Sequence, residues 1–76
     1  MKLSARNQWP GTVVDVHLGA VNATVKVDIG NGNVVTSSIT IEAVQELGLT
    51  AGDGVTIVIK SSDVMIGKQE FPPATH

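Results

Sequence analysis

A chain of 76 residues without cysteine has room for one small domain, and neither a disulfide nor a thiolate metal site can staple it. Five Lys and Arg against seven Asp and Glu leave a net charge of −2, and the aromatics are one Trp and one Phe. No basic stripe exists to neutralise phosphates and no platform to stack bases, so nucleic-acid binding is excluded as an expectation.

Hydrophobic residues make up 42% of the chain, more than so small an interior can hide. The expected remedy is a partner subunit, most simply another copy of the same chain. No apolar run has the length of a membrane span, and Met1-Lys2 leads into no signal-like stretch. The expectation is a soluble, cytoplasmic protein with no membrane partner.

In chain order, the first feature is Ser4 to Trp9, "SARNQW", a cluster of hydroxyl, guanidinium and amide donors ahead of Pro10-Gly11, which reads as a turn. Thr12 to His17 carries Val13, Val14 and Val16, β-branched residues suited to a strand, with His17 facing away from Val14 and Val16. From Asn22 to Ile29 every odd position is apolar and every even one polar, the pattern of a half-buried strand. Gly30-Asn31-Gly32-Asn33 supplies the positive φ angles of a tight turn into a hydroxyl-rich strand, Val34 to Thr40. A short helix follows, with Thr40 as N-cap, Glu42 in the first turn and Gly48 as the stop. Ile41, Val44 and Leu47 are expected on the core; Glu42, Gln45 and Glu46 in water. Leu49 to Gly54 turns back into Val55–Lys60, and Asp63–Ile66 completes the strands.

These elements predict an all-β domain with one short helix, a small, partly open barrel of about five strands related to the oligonucleotide-binding fold. A β-sandwich is the competing architecture. Residues 2–68 form the domain; 69–76, with a Pro pair and no periodicity, read as a disordered tail.

Catalysis is not expected. Cysteine is absent, and of the two histidines, His17 and His76, His17 has no HxH or HxxxH partner and no clustered carboxylates, while His76 ends the chain's tail. The informative residues are donors in three segments: Ser4, Arg6 and Asn7; Thr36, Ser37, Ser38 and Thr40; Lys60, Ser61 and Ser62. A small oxyanion wants hydroxyl and backbone N–H donors with one or two cations nearby. Each segment alone is equally a polar strand face, and Lys60 equally a side chain that snorkels from a strand end.

Taken together, "SARNQ", "TSSITIEAVQELGL" and "IKSSDVMIG" resemble the molybdenum-binding Mop (TOBE/Mop) family, the molbindins, over Lys2 to about Lys68. Their domain recurs in molybdate-responsive regulators and transporter ATPases. The resemblance implies a compact Mop/TOBE barrel without nucleic-acid function. It also implies a hexamer built as a trimer of dimers, with molybdate or tungstate held between subunits and no organic cofactor.

Carried over by position, Ser4 donates its hydroxyl, Ala5 and Arg6 their backbone N–H groups, Thr40 its hydroxyl, Lys60 an ammonium and Ser61 a further donor. No side chain ligates metal directly. A second oxyanion site, near a threefold axis, falls on His17, Gly19, Asn22, Asn33 and Thr36. Ala43 stands where some relatives place a serine. Asn7, Gln8 and Trp9 brace the strand and a dimer contact, and Val64, Met65 and Ile66 read as core or interface. The implied function is intracellular molybdate binding for storage and homeostasis; a molybdate-sensing module that reports to another protein is the alternative.

Overall fold

The computed structural model describes residues 6–68. Four antiparallel strands form one sheet in the order β3-β2-β1-β4: β1 Asn7–Leu18, β2 Asn22–Gly30, β3 Asn33–Thr40 and β4 Gly54–Ile59. One helix, α1 Ile41–Leu47, lies between β3 and β4, and a 3-10 turn, Ser61–Asp63, follows β4.

The first strand begins five residues earlier than the pattern implied, because Pro10-Gly11 is not a turn. Pro10 pairs with Thr56 and Gly11 with Val55 inside β1. The ladder to β2 starts only at Thr12, so Pro10 has a strand neighbour on one side alone and its missing N–H breaks no bond there. Gly11 is required: a Cβ would sit 2.6 Å from Val27 Cγ1 and 2.9 Å from the Asp28 carbonyl oxygen.

Within β1 the partners run Thr12 with Asp28 and Val13 with Val27, then jump to Asp15 with Lys26. Val14 is the extra residue of a β-bulge, which reverses the alternation. Val13 before it is buried and Val16 beyond it is half-buried, whereas Val14 lies exposed. Val14 and Val16 therefore do not share a face, as simple alternation suggested. The turn before β4 holds the bulge: the Val13 N–H donates to the Asp53 carbonyl (2.9 Å) and the Gly52 N–H to the Val13 carbonyl (2.7 Å).

The β2–β3 hairpin closes between Gly30 and Asn33, leaving a two-residue loop with Asn31 at φ 54° and Gly32 at φ 78°. Positive φ at both positions is the type I′ geometry that matches strand twist. Asp28 Oδ1 accepts from the Gly30 N–H (2.7 Å), supporting the entry to the loop.

The helix ends fall where the sequence put them. Thr40 Oγ1 accepts from the Ala43 N–H (3.0 Å), and Gly48 adopts the left-handed conformation (φ 63°) with its N–H on the Gln45 carbonyl. Val44 is buried and Ile41 packs on the core, but Leu47 is 69% exposed. Leu47 instead borders the open hollow on the apolar side of the sheet, which Leu49 and Val55 also line.

The core is thin. Its buried members are Val13, Ala23, Val25, Val27 and Val44. Asp63–Ile66 is not a fifth strand: the chain makes the 3-10 turn and then runs on without a pairing partner, with Met65 91% and Ile66 89% exposed. Val64 to Ile66 are thus not core in this chain. The expected small β-fold with one helix is present, with four described strands rather than five and a sheet that does not close.

Candidate functional site

Antiparallel pairing decides where the candidate donors lie. Asn7 pairs with Ile59 as the last rung between β1 and β4. Arg6 precedes that rung on one strand and Lys60 and Ser61 follow it on the other, so the three converge at one end of the sheet, all exposed. Asn7 fastens the rung by donating from Nδ2 to the Ile59 carbonyl (3.3 Å), a bracing role as expected. Beyond it, Lys60 enters the 3-10 turn, its carbonyl accepting from the Asp63 N–H (2.9 Å). Ser4 and Ala5 lie outside the described residues.

Thr40 stands at the opposite end. It pairs with Asn22, beside the Leu18–Ala23 rung where β1 finishes. Between Asn7 and Leu18 run the 12 residues of β1, and at about 3.3 Å per residue the two ends are roughly 35 Å apart. The residues assigned to a single oxyanion site therefore fall into two groups that one chain does not bring together.

At the Thr40 end the structure collects residues that sequence reasoning had put in a separate site. The Gly19 N–H donates to the Asn22 carbonyl (2.9 Å), and a Cβ on Gly19 would meet that oxygen at 2.8 Å. His17 pairs with Thr24 one rung from Leu18 and is exposed, as expected. His17, Gly19, Asn22 and Thr40 thus form one neighbourhood. The other two members of that second set do not join them: Asn33 pairs with Gly30 at the far end of β2, and Thr36 with Lys26 midway. Thr40 itself is polarised by its capping role, for its oxygen accepts from Ala43 while its hydroxyl hydrogen remains to be donated.

Lys26, a cation that the sequence reading did not single out, is exposed as well. It lies on the exposed face of β2 between Asp15 and Thr36. The strict alternation of β2 carried the signal, since Thr24 and Lys26 share a face by parity. A hollow of about 370 Å³ lies instead on the apolar side of the sheet, bordered by Val25, Val27, Ile39, Leu49 and Ile57. Of the candidate donors only Thr36 and Ser37 line it, and neither a cation nor any of Arg6, Thr40, Lys60 and Ser61 does, so it is not an oxyanion pocket. Among the described residues no group of three or more His, Cys, Asp or Glu could hold a metal ion, and no helix is long and apolar enough to cross a membrane.

This architecture is that of a known class. Residues 3–66 match the TOBE domain family. The chain is 49% identical over 67 residues to a probable molybdenum-pterin-binding protein of Haemophilus influenzae, covering 88% of this chain and 97% of that one. Among solved structures it superposes on MopII from Clostridium pasteurianum with a TM-score of 0.83 and 46% identity, covering 88% of this chain and all of the other. A molybdate-bound structure of the cytoplasmic molybdate-binding protein ModG matches with a TM-score of 0.81 and 48% identity, over 86% of this chain and 46% of that chain. The chain belongs to the TOBE-domain family and, within it, to the molybdenum-binding Mop proteins. The relatives named here are molybdenum-pterin-binding and molybdate-binding proteins.

Proposed function

We propose that this protein binds molybdate, or tungstate, as the free oxyanion in the cytoplasm for molybdenum storage and homeostasis, and that it is not an enzyme. The anion is held between copies of a homo-oligomer, a hexamer arranged as a trimer of dimers. The observation that carries this reading is the separation of the donors: Arg6, Lys60 and Ser61 end one side of the sheet, and Thr40 ends the other. A site using both groups takes them from two chains. Ser4 and the backbone of Ala5 complete the Lys60 side; residues 2–68 make the binding domain, with the tail at 69–76 outside it. His17, Gly19 and Asn22 would serve a second anion beside Thr40, with Asn33 and Thr36 supplied by another copy.

The thin core supports the same conclusion. Leu18, Leu47, Met65 and Ile66 leave apolar surface that a second copy would cover. Burying a dianion is costly unless each oxygen finds partners, and charge-assisted hydrogen bonds from two chains supply them. Sulfate carries the same charge, so cavity size and donor direction set the selectivity. Oxyanion is favoured over a pterin conjugate because Trp9, the single aromatic among the described residues, lies opposite Ile57 with no second ring to stack a heterocycle.

The test is equilibrium dialysis against molybdate in a large excess of sulfate, with molybdenum counted per chain, on three samples. Wild type retains about one ion or more per chain; Lys60→Ala and Thr40→Asp alone each lose it. Co-refolded, the two variants recover on the order of a quarter of the sites, because half the sites in each mixed pair combine an intact Lys60 with an intact Thr40. A mixture as empty as its parents would refute a site shared between chains, and no retention by assembled wild type would refute oxyanion binding itself.

A further inference from the structure

The β2–β3 hairpin carries a chemical liability that none of the binding residues explains. Of the asparagines in the described chain, Asn7 donates to Ile59 and stands in a strand, Asn22 pairs with Thr40, and Asn33 pairs with Gly30 ahead of the branched Val34. Asn31 alone lies outside the ladder and precedes a glycine, and both residues are exposed. The ladder closes between Gly30 and Asn33, so the Gly32 N–H is free of it, and Gly32 has no side chain to screen its nitrogen.

We infer that Asn31 is a site of spontaneous covalent modification, an intramolecular deamidation whose product uncouples β3. The Gly32 backbone nitrogen gives up its proton and attacks Asn31 Cγ. That bond forms as the side-chain amide leaves as ammonia, giving a five-membered succinimide. One water then opens the ring at either carbonyl, yielding aspartate or isoaspartate at position 31. Attack requires the Asn31 peptide to rotate out of its left-handed conformation (φ 54°), so the rate reports local opening of the hairpin tip.

The isoaspartyl product carries an extra methylene in the main chain. A two-residue type I′ loop has no slack for it, and the entry to that loop is already fixed by the Gly30 N–H on Asp28 Oδ1. β3 is an edge strand held by β2 alone, so a lost turn is not compensated from its other side. Thr36 and Thr40 lie on that strand.

The experiment ages the full-length protein at mildly alkaline pH beside a synthetic peptide spanning residues 27–36, with peptide mapping and isoaspartyl detection by a methyltransferase. The expected result is a gain of about one dalton confined to the fragment containing Asn31. It proceeds several-fold slower than in the free peptide and accelerates in sub-denaturing urea. The purified isoaspartyl form should show a lower urea midpoint and faster amide exchange in β3 than in β1. Asn31→Gly, which keeps the positive φ, should abolish the gain without lowering the midpoint. No gain while the peptide converts completely, a gain at another asparagine, persistence in Asn31→Gly, or an unchanged midpoint in the isoaspartyl form would each overturn the inference.

Discussion

Thr40 has a capping role and a proposed binding role, which substitution can separate. Its Oγ1 caps α1 by accepting from the Ala43 N–H, while its hydroxyl hydrogen is available to an anion. Thr40→Ala removes both and should cost about 1 kcal/mol of stability, read from urea denaturation, along with molybdate affinity. Thr40→Asp keeps a capping oxygen but presents a negative charge, so the denaturation midpoint should stay near wild type while dialysis detects little bound molybdate. Lys60 is exposed and ends its strand, so Lys60→Ala should change stability by less than about 0.5 kcal/mol. Its loss of a charge-assisted contact should weaken binding about tenfold or more. Asn7→Ala, by contrast, releases the last rung between β1 and β4 and should disturb both readouts together.

At the scale of elements, the β1–β2 crossing is the tightest constraint. Gly11→Ala would press a methyl group onto Val27 Cγ1 and the Asp28 carbonyl, one a core side chain and the other main chain. Overpacking of this kind should cost about 1–3 kcal/mol, visible as a lower melting temperature. Gly48→Ala meets no neighbour within 4 Å, but its φ of 63° is the left-handed conformation. A loss of about 1 kcal/mol is expected there, from backbone strain alone. Most of the elements were legible because their signals are local. Asn22 to Ile29 alternates, Asn31-Gly32 dictates its turn, and Thr40 and Gly48 bracket the helix. Pro10-Gly11 misled because the rule that proline breaks strands assumes neighbours on both sides, and β1 has one there. The Val14 bulge was silent for a similar reason: a run of valines has no polarity to mark where the alternation reverses.

For the whole molecule, a core of four valines and one alanine is small for the apolar content of the chain. The open sheet leaves further apolar side chains half-covered along its hollow face. Folding and association should therefore be coupled, with a melting temperature that rises with protein concentration over the range where assembly occurs. Molybdate at about a hundred times its dissociation constant should add roughly 2.7 kcal/mol to the assembled state, and a melting curve indifferent to saturating molybdate would argue against a site that is built only on assembly.

By itself the sequence determined the small β-domain with one capped helix, the hairpin turn, the exposed His17 and the three donor segments, since each rests on neighbours a few positions apart. The tertiary structure decided what depends on long-range pairing. The register of β1 with β4 sets Arg6 beside Lys60, and that of β2 with β3 carries Thr40 to the other end. Linear spacing does not encode this separation, because antiparallel strands turn distance along the chain into proximity at some positions and the full length of a strand at others.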